Sequence, residues 1–468
     1  MVLSNYTSDG DILTATDTTP SGTIVYNLGN IAWVLTCSML VFIMIPGLGF
    51  FYSGLLRRKN ALTMIAMSLV VLSIASIEWF FWGYSLTFSD SGNPFIGDLR
   101  HFGLINVDMQ PSRSSSNIPE LVFCIFQMMF AAIAPVIMCG AFADRARFGP
   151  MLLFVFCWTT IVYNPIASWT WNVNNGWASN LGALDFAGGT PVHISSGVGS
   201  LVVSIFLGRR RGYGTELLAY RPYNVTHVVL GTVLLWFGWM GFNSGSGFGA
   251  NLRAAQTLMA THIAACIGGV TWMLWDWRLE RKFSIVGFCS GVVSGLIAIT
   301  PGCGYVGTPS ALVFGVLAGT ACNFATQLKK RSGWINRHFI QLGYQLAPAV
   351  AGAAWSAIVT TILLFAINYI PGFHFRCSES DEIIGTDLAQ IGEEACMVPH
   401  LGHADSHMRV LDGSPSKPVS NAELWGEKNE PQPIAPSQYP TVNRAEAAPD
   451  APVSEAAPTS AVTLPPPA

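Results

Sequence analysis

The sequence predicts an all-α integral membrane protein with about ten transmembrane helices. Of its 468 residues, 51% are hydrophobic and only 11% are charged, whereas soluble domains carry roughly 25% charged residues. Apolar stretches of about 20 residues, the length of helix that spans a bilayer, recur between residues 31 and 370. These stretches lack the two-residue alternation of a membrane β-barrel strand, so helices are the expected architecture.

The expected spans are separated by short polar segments that contain turn-forming residues, such as Arg57–Asn60 and Pro301–Gly302. In chain order the spans are residues 31–54, 61–88, 120–143, 149–172, 190–208, 225–247, 255–277, 284–300, 309–328 and 340–370.

Cations in the predicted loops indicate the orientation, because Lys and Arg concentrate in cytoplasmic loops. The loops after spans 1, 3, 5, 7 and 9 hold fifteen Lys and Arg residues, whereas the loops after spans 2, 4, 6 and 8 hold only Arg100, Arg113 and Arg253. We therefore expect the odd-numbered loops to be cytoplasmic and the N-terminus to be extracellular. Asn5 lies in an Asn-Tyr-Thr sequon on this outer segment and is a candidate glycosylation site.

Composition divides the chain into four regions. Residues 1–28 lack the basic start and short apolar core of a cleavable signal peptide, and we expect them to form an extracellular segment. Residues 29–371 form the transmembrane domain, and residues 372–400 are mixed and acidic. Residues 401–468 are rich in Pro, Ala and Ser, so we expect a disordered tail that cannot bury enough apolar area to offset the entropy of ordering.

The composition also argues against several kinds of partner and chemistry. A net charge of −3 gives no electrostatic reason for nucleic-acid binding. Most of the ten cysteines lie in apolar runs, and no CxxC pair or Cys/His cluster has metal-ligand spacing, which favours buried free thiols over a metal site. No cofactor is expected, because the chain has neither a phosphate-binding glycine loop nor an ATP motif. His193 and the helix-capping Asp185 make no protease or acyl-transfer active site, so an enzyme is not expected.

Three segments carry the polar and aromatic residues of interest, since a polar group inside a membrane needs a partner or a role. Asp185 stands at the mouth of span 5, where a carboxylate can cap free N–H groups, and His193 lies within that span. Phe242 and Ser246 are four residues apart on span 6 and share a face, and Phe130 lies in an aromatic stretch of span 3. Taken singly, each segment also has a structural interpretation, as a satisfied core histidine, a helix-packing face or a core aromatic pair.

Taken together, these segments resemble the Amt/Mep/Rh ammonium transporter family, fungal high-affinity permease branch. The similar segments are Asp185–His193 at the start of the fifth helix, Gly241–Ser246 in the sixth, Glu78–Leu86 in the second, Gly140–Arg145 at the end of the third, and Gly333–His338 before the last. The resemblance extends over roughly residues 28–400.

The resemblance implies a multi-pass plasma-membrane transporter of ammonium or methylammonium, assembled as a homotrimer with one pore per subunit. The residues that match the family's pore motifs are Trp171, Phe130 and Ser246 for substrate binding, Phe130 and Phe242 for a gate, His193 for the pore, and Asp185 for the shape of the entrance. Two alternatives stay open: an ammonium sensor whose tail meets a kinase or another signalling partner, and a chain that does not transport.

The last alternative arises because the family has eleven spans in an inverted repeat of five plus five, with a second pore histidine on the tenth. Here Leu328–Arg331, at the cytoplasmic end of span 9, runs directly into Gly333–His338, which resembles the extracellular loop before the final helix. Either span 10 leaves the C-terminal segment outside, or residues 332–336 would have to cross about 30 Å of bilayer. Five extended residues reach only roughly 17 Å. We therefore expect a missing tenth helix with its junction near residues 329–333.

Overall fold

The computed structural model describes residues 6–9, 12–16, 23–112, 115–211, 222–328 and 343–393, and these are mainly helical. Its long apolar helices are α1 (Leu28–Leu55), α2 (Arg58–Phe88), α3 (Glu120–Phe142), α4 (Phe148–Trp171), α5 (Gly189–Leu207), α6 (Val225–Gly245), α7 (Leu252–Glu280), α8 (Ile285–Ile299), α9 (Thr308–Leu328) and α10 (Gly343–Asn368). Nine are long and apolar enough to cross a membrane, and α8 is shorter, with 15 residues. The prediction of about ten membrane helices is confirmed for the described residues.

Several of these helices begin at a side chain that accepts hydrogen bonds from the free N–H groups of the first turn. Asn27 accepts from Gly29 and Asn30 at the start of α1. Asn224 caps α6, Asn251 caps α7 and Ser284 caps α8 in the same way. These short polar residues stop an otherwise continuous apolar sequence from extending each helix backwards, because the cap residue itself has an extended backbone.

Two small antiparallel sheets accompany the helices. The first has the strand order β1 (Tyr6–Asp9), β2 (Ile12–Thr16) and β3 (Thr23–Asn27), and the second pairs β4 (Pro111–Ser112) with β5 (Ser115–Pro119). The Tyr26 hydroxyl donates to the carbonyl of Met109 at 2.7 Å and so ties the N-terminal segment to the loop between α2 and α3. The candidate glycosylation site Asn5, the junction at 329–333 and the tail 401–468 lie outside the described residues.

The segment after α10 folds back onto the ends of other helices. It contains the short helix α11 (Glu379–Ile384), followed by Asp387, whose carboxylate accepts from the N–H groups of Leu62 and Thr63 at 3.0 and 2.8 Å. The Lys59 ammonium donates to the carbonyl of Glu382 at 2.8 Å. The segment therefore lies on the side of the basic loops, which the charge distribution assigns to the cytoplasm. The interpretation in which one further span leaves this segment outside is wrong.

Helices α9 and α10 run in the same direction. Near the end of α9, Asn323 donates to Asp276 at 2.8 Å, close to the basic cytoplasmic end of α7. At the middle of α10, Trp355 lies against Phe95 in the outer loop between α2 and α3, with ring centroids 5.0 Å apart, so the preceding half of the helix extends toward the outer side. Because α10 then ends at the cytoplasmic segment, Leu328 and Gly343 stand at opposite faces of the helix bundle.

Candidate functional site

Three aromatic rings from three helices meet at the outer end of the bundle. The rings of Phe130 on α3 and Phe242 on α6 stack with centroids 4.1 Å apart and planes 17° apart. Trp171 at the end of α4 meets the edge of Phe130 at 5.8 Å. Phe130 and Phe242 are buried, at 1% and 0% exposure, so the stacked pair closes the space between the helices. The structure thus brings both predicted gate residues into direct contact.

Asp185 organises the loop that leads into α5. Its carboxylate accepts hydrogen bonds from the N–H groups of Gly188, Gly189 and Thr190 at 2.9, 2.7 and 2.6 Å. Its backbone carbonyl accepts from the Trp171 indole N–H at 3.0 Å. Burial raises the pKa of this carboxyl, and the three backbone donors oppose that shift. Asp185 therefore holds both the helix start and the Trp171 ring, as its position at a helix mouth predicts.

Gly188 has a positive φ of 102°, which a residue with a side chain rarely adopts. The Trp171 ring also packs where a Cβ at Gly188 would lie, with ring atoms 3.1 and 3.2 Å away. The glycine thus permits both the turn and the close approach of the indole.

His193 lies below the aromatic pair, in a wide π-helical turn that opens α5 (Gly189–Ile194). Its ring stacks on Trp239 with centroids 5.2 Å apart, and it lies 6.0 Å from Phe242. The Trp239 indole is fixed by donating to the Thr300 hydroxyl at 2.9 Å. The Nε2 atom of His193 is buried and has no hydrogen-bond partner among the described residues, so it can form a hydrogen bond with a polar molecule in the adjacent cavity.

A cavity of about 180 Å³ extends from Phe242 past His193. Its walls are almost entirely apolar, and they include Met44, Tyr52, Ile133, Val192, Leu235 and Val293. Such walls do not compensate a bare cation for the loss of its hydration, because an unpaired charge in an apolar medium costs on the order of tens of kcal/mol. A small neutral molecule with one hydrogen-bonding group fits the cavity far better.

Ser246 follows the last turn of α6, four residues beyond Phe242. Its hydroxyl donates to the Phe242 carbonyl at 2.9 Å, and the side chain is 8% exposed. With its hydrogen engaged in this bond, the hydroxyl oxygen presents lone pairs to its surroundings, as a cation requires.

Two residues of this arrangement were not among the sequence-based candidates. Trp239 stacks on His193, and Phe126 packs on Phe130 with centroids 4.9 Å apart. Helical spacing gave a usable signal for both, because Trp239 lies three residues before Phe242 and Phe126 four before Phe130, each on the same face. The histidine stack itself depends on how α5 and α6 pack, which spacing does not show.

Residues 32–333 and 328–396 match the Ammonium Transporter Family. The chain belongs to the ammonium transporter family. It is 48% identical to Ammonium transporter 1 of Schizosaccharomyces pombe, over 79% of this chain and 82% of that protein. It is 44% identical to Ammonium transporter MEP2 of Saccharomyces cerevisiae, over 79% and 83%. The crystal structure of Candida albicans Mep2 superimposes with a TM-score of 0.71 at 42% identity, covering 79% of this transporter and 90% of that chain.

The alignment with these relatives has a gap in the sequence of this transporter. The comparison with the S. pombe protein extends over 413 positions, whereas 79% of 468 residues is about 370, so about 43 positions have no counterpart here. The two matching parts of the family meet at residues 328–333, where α9 ends. This break coincides with the place where the sequence predicts a missing helix.

Proposed function

We propose that this ammonium transporter binds ammonium or methylammonium at an outer aromatic site and passes the nitrogen through a pore closed by Phe130 and Phe242. The stacked contact of these two rings directly above an apolar cavity that contains His193 supports the proposal. Trp171 and Phe130 offer aromatic surfaces at the mouth, which stabilise a desolvated cation by up to about 2 kcal/mol. The Ser246 oxygen adds a hydrogen-bond acceptor.

We infer that charge and nitrogen are separated before the gate is passed, because the apolar cavity gives a cation no compensating charge. The cation is stabilised only at the mouth, so it transfers its proton to bulk water there, and neutral ammonia or methylamine enters the cavity. The free Nε2 of His193 then exchanges hydrogen bonds with the neutral amine. Trp239 keeps the imidazole in a fixed orientation by stacking on it.

The transporter is proposed to act in the plasma membrane as a homotrimer. The lateral surface of its helix bundle carries large apolar side chains, such as Met39 and Phe42 on α1, which are 63% and 46% exposed. These two residues line an apolar groove of about 540 Å³ that also involves Ile125 and Met129 of α3. Such a surface suits contact with lipid or with a neighbouring subunit.

Uptake of radiolabelled methylammonium in yeast cells without their own permeases tests the function. We expect saturable uptake by this chain, and strongly reduced uptake by Phe242→Trp, whose larger ring blocks the gate. Phe156→Trp is a matched control, because Phe156 lies on α4 against Trp82 rather than at the pore. Surface expression of both variants is measured in parallel. No uptake by the well-expressed parent chain would overturn the proposed function.

A further inference from the structure

The guanidinium group of Arg253 lies between two aromatic rings at the outer face. Its central carbon is 5.0 Å from the ring centroids of both Phe186 and Tyr305. Its Nε donates to the carbonyl of Gly304 at 2.9 Å. Arg253 belongs to the first turn of α7, whereas its partners belong to the loop before α5 and the loop between α8 and α9. One side chain therefore connects three separate parts of the chain.

Phe186 is held on its other sides as well. Its N–H donates to the Pro301 carbonyl at 2.9 Å. Its ring lies against Gly304 so closely that a Cβ there would meet ring atoms at 2.2–2.4 Å. The edge of the ring also faces Tyr305, with centroids 5.4 Å apart. The glycine makes room for Phe186, and Arg253 then covers the contact from outside.

Phe186 is the neighbour of Asp185, which caps α5 and holds the Trp171 indole. A displacement of Phe186 therefore moves the Asp185 carbonyl and the tryptophan that faces Phe130. The path from Arg253 to the outer site runs through Phe186, Asp185 and Trp171, and each step is a direct contact or a covalent neighbour.

We propose that Arg253 is a positioning residue for the substrate-binding mouth, acting through Phe186 and not by touching ammonium. The inference rests on the proposed function for its effect on transport. A charge effect and a positioning effect of Arg253 predict opposite changes in substrate affinity. If charge were the main effect, Arg253 would repel the ammonium cation, and its removal would improve binding. A positioning role requires the opposite result.

Methylammonium uptake kinetics separate the two effects. For Arg253→Met, which keeps the length of the side chain, we expect KM to rise about three- to tenfold with Vmax within about twofold, in keeping with the loss of cation–π and hydrogen-bond contacts. Arg253→Lys should recover part of the loss. Arg100→Met is the control, since Arg100 is another outer cation, paired with Asp90 at 3.2 Å, and should leave KM unchanged.

Hydrogen–deuterium exchange of the purified 468-residue chain in detergent gives a readout that does not need transport. Asp185 accepts hydrogen bonds from the amides of Gly188, Gly189 and Thr190, and these amides should exchange faster in Arg253→Met than in the parent chain. The amides of Leu62 and Thr63, at the opposite end of the bundle, serve as an internal control and should exchange at the parent rate. A lowered or unchanged KM, or unchanged exchange at Gly188–Thr190, would overturn the inference. If the parent chain does not transport, the proposed function fails, and exchange alone decides the role of Arg253.

Discussion

At the scale of single residues, the entrance depends on one carboxylate that does not need to touch the substrate. Asp185→Ala removes the acceptor for three backbone N–H groups and frees the loop that holds Trp171. We expect uptake of methylammonium to be abolished. Asp185→Asn, whose single carbonyl oxygen can still accept from Gly188 and Gly189, should retain a measurable part.

Ser246→Ala should mainly weaken uptake, because it deletes one acceptor and leaves the aromatic surfaces in place. Uptake rates normalised to surface protein provide the measurement for both positions. Equal and negligible effects of Asp185→Ala and Ser246→Ala would contradict the binding scheme.

A second single-residue prediction concerns Glu78, which is fully buried within α2. Its Oε1 accepts from the Thr160 hydroxyl at 2.9 Å and from the Asn164 amide at 2.8 Å, and its Oε2 has no partner among the described residues. The side chain thus joins α2 to α4. Glu78→Leu should lower stability by about 1–3 kcal/mol, the cost of leaving buried donors without an acceptor.

Glu78→Gln keeps the accepting oxygen and the shape, and should match the parent. Thermal unfolding in detergent measures both variants. A glutamine variant as unstable as the leucine variant would show that an ionised carboxylate is needed at this position.

At the scale of elements, much of the fold could be predicted from the sequence. The spans follow from the length of the apolar runs, because a bilayer imposes that length on every crossing. The caps follow from short polar residues such as Asn224 and Ser284. The wide turns Trp79–Gly83 and Thr159–Tyr163 could not be predicted, since they arise where α2 and α4 adjust to each other around Glu78. Contacts between positions far apart in the sequence could not be predicted either.

The attachment of the C-terminal segment is such a contact, and it leads to a prediction. Asp387 accepts from two N–H groups and the hydroxyl of residues 62 and 63, about 325 positions earlier in the chain. It caps the start of α2, where a negative charge is also favoured by the helix dipole. Asp387→Ala should therefore release the segment from α2, and limited proteolysis should then cleave between residues 372 and 393.

Glu393→Ala is the matched control for Asp387→Ala. It removes an exposed acidic side chain from the same segment, and among the described residues this side chain makes no hydrogen bond to α2. We expect its cleavage to equal that of the parent chain. Resistance of Asp387→Ala to proteolysis would mean that the other contacts, such as that of Lys59 with Glu382, hold the segment without the cap.

At the scale of the whole molecule, the direction of the helices indicates that a membrane crossing is missing between α9 and α10. Helices α9 and α10 both run from the outer to the cytoplasmic side, so a return crossing is needed between Leu328 and Gly343. Only residues 329–342 are available. As a helix they would extend about 21 Å, against a bilayer core of about 30 Å. A non-helical crossing would leave backbone groups without partners in lipid.

We therefore predict that the messenger RNA contains an in-frame segment between the codons for Leu328 and Gly333, long enough to encode one further apolar helix. The relatives suggest its size, since about 43 positions of the S. pombe protein have no counterpart here. Complementary DNA sequenced across codons 320–350 decides the question. The restored chain should take up methylammonium at least tenfold faster than the 468-residue chain, because the missing helix would close the side of the cavity at which Gly197 and Ile297 are exposed. Suppose instead that the messenger RNA encodes the present sequence without an additional segment and that this chain transports at the rate of its relatives. Then α9 and α10 are joined in a way that does not require another helix.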